Sequence, residues 1–213
     1  ITGKTPFYAT MGGQLGDIGT IRTKNGSFNV TEAVKLPSDR IGHVGKVTEG
    51  TIVCGDDCSL SVCSDNRAKT CRNHSATHLL QSALQEVLSD SVHQAGSSQD
   101  SLRTRFDFSY GQAMSKEEIE KVEKLVNEKI QEGLDVSTEV LSIEDAKKTG
   151  AKALFGEKYG DTVRVVSMGE FSKEFCGGTH VKNTADIKAF KILSESGIAA
   201  GTRRIEAITG DNV

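Results

Sequence analysis

From residue 73 onward, apolar side chains recur at Ala76, Leu79, Leu80, Ala83, Leu84, Val87 and Leu88, the three-and-four spacing of an amphipathic helix. The spacing predicts a helix over 73–90, with Asn73 as its N-cap. A second stripe, Ile119, Val122, Val126 and Ile130, predicts a helix that opens at Ser115, with Glu118 at capping-box spacing, and closes at Gly133. Its charged run reads as a solvated face. "SIEDAKKTG" predicts a third, short helix, and the runs "VSTEVL", "TVRVVSM", "IKAFKIL" and "RRIEAIT" predict strands.

Before residue 70 the period changes. Short β-prone runs punctuated by glycine replace the helical stripes. "TIRTKNGSFNVTEAV" carries Asn25-Gly26 between alternating segments, a hairpin signal; "GHVGKV" and "CSLSV" read as further strands. The expected class is α+β: a small, mostly-β, barrel-like subdomain over 1–68, then an α+β subdomain over 69–213.

Composition narrows the possibilities. A chain of 213 residues, 36% hydrophobic, supports one large domain or two small ones. Its formal charge of −3 provides no global basic field, so any RNA contact has to be a local patch. No run approaches the roughly 18 apolar residues of a membrane span, so no membrane partner is expected. No signal peptide is visible, and Ile1 in place of Met reads as an excised fragment or processed chain. Five cysteines, an odd number, make a poor disulfide framework and fit a reducing cytoplasm.

The candidate chemistry lies in two places. His74 and His78 stand at i and i+4 of the first predicted helix, about 40° apart on its surface. They lie well away from the stripe of Ala76, Leu80, Ala83 and Val87, so they face either water or a second, polar site. "EFCGGTH" brings Cys176 and His180 together in a tight loop: half of a metal site, a nucleophile with its base, or an ordinary turn. Taken together, three imidazoles and a thiol suit Zn²⁺ rather than magnesium or calcium. Ser75 and Ala76 between the histidines exclude the H-E-x-x-H protease pattern. Cys54, Cys58, Cys63 and Cys71 have no recognised zinc spacing and are expected to be small buried thiols.

"RNHSATHLL" and "FCGGTHV", with "FYATMGGQLGDIG", "HQAGSS", "RFDFS", "GAKALFGEKYGD" and "GTRRIEAITG", closely resemble the editing region of bacterial alanyl-tRNA synthetase over nearly the whole chain. Free-standing alanyl-tRNA editing proteins and the threonyl-tRNA synthetase editing domain are related, and the glycine-rich motif favours the alanyl branch. Thr10, Met11 and Tyr110 depart from the family text.

The resemblance implies hydrolysis of the ester joining serine or glycine to alanine tRNA, with one Zn²⁺ on His74, His78, Cys176 and His180. It places Gln94 in the editing pocket. Thr77 and Thr179 flank the site as substrate contacts or turn supports, and Gly177 and Gly178 form an oxyanion hole or merely permit the turn. Arg67, Arg72, Arg103, Arg105, Arg203 and Arg204 are candidate RNA contacts, Arg67 and Arg72 because they lead with Lys69 into the metal helix. No carboxylate stands out as a base; Glu174 reads as readily as a surface residue. The partners implied are mischarged alanine tRNA and the remaining synthetase domains. ATP belongs to an aminoacylation domain absent here, so the fragment alone is not expected to charge tRNA. Three other readings stand beside this one: a zinc-stapled tRNA-binding module without catalysis, a free-standing trans-editing deacylase, and a cysteine hydrolase using Cys176 with His180.

Overall fold

The structure, a computed structural model, describes residues 1–153 and 159–213; the middle of the "GAKALFGEKYGD" motif lies outside them. Glycine-punctuated alternation builds the first sheet. Its strands β1 (Gly19–Thr23), β2 (Gly26–Lys35), β3 (Ile41–Gly50) and β4 (Cys58–Val62) pair antiparallel in the order β3-β2-β1-β4. Inward positions Ile21, Val30 and Ala33 pack with Phe7 into a small core. The hairpin forms as expected, but its last paired residues are Arg22 and Ser27, leaving a four-residue loop. There the Thr23 hydroxyl accepts from the N–H groups of Asn25 and Gly26. Among the described residues β3 and β4 do not pair with one another, so the sheet stays open and the expected barrel closure is not seen.

Helix α1 (Ser64–Val87) begins well ahead of Asn73, with Cys63 in the N-cap position. Periodicity missed these opening turns because "SDNRAKTCR" is nearly devoid of apolar residues. They are held instead by polar contacts, the i,i+4 pair Asp65–Lys69 and the pair of Arg67 with Asp17. Asn73 is therefore no cap. It is fully buried mid-helix, donating from Nδ2 to the Asp100 carbonyl at 2.8 Å and accepting from the Thr209 hydroxyl at 2.7 Å. Arg67, Lys69 and Arg72 sit on the helix rather than leading into it. From Thr70 to Leu84 nearly every side chain is buried, so α1 is the central helix and not a one-sided amphipathic one.

The remaining elements, in chain order, are β5 (Gln94–Gln99), β6 (Thr104–Ser109), α2 (Lys116–Glu132), β7 (Val136–Ser142), α3 (Ile143–Lys148), β8 (Thr162–Met168), β9 (Ser172–Phe175), β10 (Phe190–Ala199) and β11 (Thr202–Thr209). They form two antiparallel sheets, β10-β11-β6-β5 and β7-β8-β9. α2 obeys its sequence closely. The Ser115–Glu118 capping box is present, and Gly133 ends the helix at φ 67, a left-handed conformation that suits glycine. Val122, Val126 and Ile130 from α2 join Leu79, Leu80 and Leu84 from α1 and Phe106, Phe108 and Ile205 from the sheet in the main core. The molecule is mixed α+β. No helix among the described residues is long and apolar enough to cross a membrane.

Candidate metal centre

His74 and His78 are each 5% exposed, so the face opposite the helix's apolar stripe looks into a second, polar site rather than water. β9 runs against β8 and delivers the Cys176–His180 loop to that face. The candidate ligand atoms of His74, His78, Cys176 and His180 all lie within 4.8 Å of one another. Cys176 Sγ stands 3.5 Å from His74 Nε2 and 3.3 Å from His180 Nε2. Tetrahedral zinc ligands bonded at 2.0–2.3 Å stand about 3.3–3.8 Å apart, so the two separations from the sulfur suit such an ion.

Two of the imidazoles are oriented from outside by a hydrogen bond at Nδ1. His74 Nδ1 lies 2.8 Å from Gln14 Oε1, and His180 Nδ1 lies 3.0 Å from Ser75 Oγ. His78 Nδ1 faces Glu174 Oε2 at 3.4 Å, within ion-pair range but without hydrogen-bond geometry. Arg164 grips the loop itself, donating from Nη1 to the carbonyls of Cys176 at 3.0 Å and Gly178 at 2.5 Å.

The electrostatics separate Cys176, His78 and His180. Burial disfavours a thiolate at Cys176, yet the neighbouring His78 charge and hydrogen bonds from the three imidazoles overcome it and drive the thiol far below its ordinary range. Burial also disfavours a charge on His78, but Glu174 and Cys176 outweigh it and raise its pKa to about 9. His180 goes the other way, to about 3, through burial and the adjacent His74. Ionised sulfur and a neutral imidazole are the forms that bind metal.

Several other candidates are engaged elsewhere. The Thr77 hydroxyl donates to the Asn73 carbonyl and shares a 2.8 Å bond with Thr104, inside the core. Thr179 Oγ1 accepts from Gln14 Nε2 at 2.8 Å and from Cys71 Sγ at 3.2 Å. The Gly178 N–H points to Cys176 Sγ at 3.4 Å, and a Cβ on Gly178 would fall 2.1 Å from His74 Cε1. Close approach is thus one reason for glycine there. Gly177 is exposed and has Met11 Cε 3.8 Å from where its Cβ would be.

Gln94 lines a cleft of about 430 Å³ together with Gln81, Gln85, His93, Lys152 and Glu174. Glu174 is buried, not a surface residue; it joins this cleft to His78. A second cleft, of about 300 Å³, is lined by Met11, Arg164, Cys176, Gly177 and Gly178. Tyr110 lies apart from both, donating from its hydroxyl to Glu118 Oε1 at 3.2 Å at the start of α2.

Most of the arginines are paired. Arg67 binds both oxygens of buried Asp17, Arg203 grips Glu195 and Arg204 grips Asp107, each through two bonds. Arg72 lies 3.7 Å from Asp211 and Arg103 3.5 Å from Glu206. Among the described residues Arg105 alone of the six has no carboxylate partner. Cys71 is buried, but Cys54 and Cys58 are exposed. They lie in and after the loop before β4, where a thiol has no core to enter, so the buried reading fails for them. Sequence reasoning passed over Gln14, Ser75 and Arg164. Ser75 carries a signal, sitting between the two histidines, whereas Gln14 and Arg164 meet the site only through the fold.

Comparison with known proteins covers both ends of the chain. Residues 163–206 match the family model of the threonyl and alanyl tRNA synthetase second additional domain, and residues 1–66 match that of class II (A) tRNA synthetases. The chain is 58% identical over 213 residues to alanine–tRNA ligase 1 of Lachnoclostridium phytofermentans, covering 100% of this chain. It is 52% and 51% identical, over 208 residues and 98% of this chain, to the alanine–tRNA ligases of Cupriavidus necator and Nitrosomonas europaea. It spans 24% of the length of each of these relatives.

Proposed function

The chain belongs to the alanine–tRNA ligase family, and we propose that within such an enzyme it is the editing part, a zinc-dependent hydrolase of the ester joining serine or glycine to alanine tRNA. An alanine pocket cannot exclude the smaller glycine and rejects an added hydroxyl only weakly, so a second, hydrolytic site answers a physical need. Residues 1–68 would be its β subdomain and residues 69–213 its zinc-binding subdomain.

The observation that carries this reading is the convergence of three imidazoles and a low-pKa thiol beside an open cleft lined by Gln94 and Glu174. His74, His78, Cys176 and His180 would hold the ion. With all four residues on the ion the site would be closed. Polarising the ester or lowering the pKa of a coordinated water, the chemistry zinc would supply, would need a displaced ligand or a fifth position. Otherwise the ion would hold the pocket or anchor the substrate. The chain's own residues do the positioning. Gln94 offers an amide to the aminoacyl group, and Glu174 presents a carboxylate to its α-ammonium while steadying His78. Gly177 lies on the exposed part of the loop, where its backbone can approach the ester. Thr77 supports the helix between its two histidines, and Thr179 supports the loop. Arg105, which has no carboxylate partner among the described residues, is the leading RNA contact, with Arg103 and Arg72 at longer pairing distances.

The test is deacylation of serine-charged alanine tRNA, with bound metal assayed on the same sample. Serine release at about one zinc per chain, lost in His78→Ala, is the expected result. Zinc without release, even with excess mischarged tRNA, would replace hydrolysis with a tRNA-binding role. Release that survives metal removal but not thiol blocking would favour a Cys176 nucleophile.

A further inference from the structure

The glycine-rich stretch "GGQLGDIG" of residues 12–19 has no role in the reading above, yet it reaches the metal centre. Gly12 and Gly13 have φ of 59 and 86, the pair of positive values that defines a type I′ turn. Met11 and Gln14 close the turn with N–H to carbonyl bonds of 3.1 Å in both directions. Its far side is pinned to β5, since Gln99 donates to the Gly13 carbonyl and Leu15 donates to the Gln99 carbonyl, each at 2.9 Å. A Cβ on Gly13 would meet Ser97 Oγ at 2.5 Å, so the turn seats directly on that strand.

The turn has one product, the placement of the Gln14 side chain. Gln14 is 1% exposed. Its Oε1 lies 2.8 Å from both His74 Nδ1 and the Thr179 backbone nitrogen, and its Nε2 donates to Thr179 Oγ1 at 2.8 Å. The Thr179 N–H can only donate, so Oε1 is an acceptor and His74 must carry its proton on Nδ1. That assignment frees the Nε2 lone pair, on the side facing Cys176, for a metal. One amide therefore fixes the tautomer of a ligand on α1 and the position of the loop carrying Cys176 and His180.

We propose that Gln14 is a positioning residue of the metal centre, and that the type I′ turn exists to hold its amide between the two halves of the ligand set. The proposal rests on the metal-binding reading above. It makes residues 1–68 part of the site, although all four ligands lie beyond them.

The experiment compares wild type, Gln14→Met, which keeps the volume and removes the hydrogen bonds, and Gln14→Glu, which restores an acceptor. Zinc affinity is measured by chelator competition, and ligand geometry by the visible absorption of the cobalt(II)-substituted protein. Gln14→Met is expected to weaken zinc binding about 10- to 100-fold and to shift the cobalt bands, with Gln14→Glu recovering most of the loss. Equal zinc affinity and an unchanged cobalt spectrum in Gln14→Met would overturn the proposal. A wild type that binds no zinc would instead overturn the metal-binding reading. If metal-free Gln14→Met fails to fold, Gly12→Ala decides, because it strains the turn where a Cβ meets nothing within 4 Å. Weaker zinc binding there supports the proposal, and unchanged binding overturns it.

Discussion

Gly178 has no room for a side chain, because a Cβ would lie 2.1 Å from His74 Cε1, 2.5 Å from His74 Nδ1 and 2.8 Å from Gln14 Oε1. Gly178→Ala must displace His74, an imidazole buried on every side. Overpacking of this kind costs about 1–3 kcal/mol, and here the displaced group is a candidate ligand. Gly178→Ala is therefore expected to lower the melting temperature and to weaken zinc binding by more than tenfold, both readable by calorimetry with and without zinc. Unchanged zinc affinity would show that the loop relaxes without moving His74. At this scale the members of the candidate metal-binding group were legible. Spacing alone flagged His74 with His78 and Cys176 with His180, because i,i+4 histidines and a short glycine loop impose proximity locally. The groups behind them were not legible. Gln14 lies sixty residues from His74 along the chain, and no local period connects them.

At the scale of elements, α2 and α1 contrast. The ends of α2 are set by adjacent residues: the Ser115 hydroxyl accepts from the Glu118 N–H at 3.2 Å, and Glu118 Oε2 accepts from the Ser115 N–H at 2.7 Å. Ser115→Ala removes half of this reciprocal cap and is expected to cost about 1 kcal/mol, measured as a lower urea midpoint with unchanged slope. A loss near zero would mean that water replaces the cap. α1 begins instead where tertiary contacts sustain it, which is why a stripe search placed its start too late. Strands β8 and β11 carried enough β-branched residues to be foreseen. β5, β6 and β9 were missed. The alternation of β6, with Thr104, Phe106 and Phe108 buried, was available as a period-two signal. The text of β5, "QAGSSQ", and the four residues of β9 offer none.

At the scale of the molecule, the open sheet of the first strands is bound to α1 by a charge. Asp17 is 3% exposed; both its oxygens bond Arg67, and Oδ2 also accepts from the Tyr8 N–H at 2.6 Å. Arg67 donates further to the Pro6 carbonyl at 2.8 Å. The side chain expected to touch RNA thus joins the N-terminal segment, the glycine-rich stretch and the central helix. Arg67→Ala strands a buried carboxylate and is expected to cost about 3 kcal/mol, the lower end for a buried pair because Arg67 is partly exposed. Chemical denaturation would measure it, and a loss below about 0.5 kcal/mol would match an exposed pair instead.

The sequence by itself determined the α+β class, the second helix with both caps, the hairpin and the four candidate ligands, since each depends on residues close in the chain or on a side chain's own chemistry. The tertiary structure alone decided that the two candidate ligand pairs meet, that Glu174 is buried against His78, that five candidate arginines are paired, and that Gln14 bonds both His74 and Thr179. The physical reason is the range of the interactions. Periodicity, capping and ligand softness act over a few residues, whereas an outer hydrogen bond or a buried ion pair forms between groups that only folding brings together.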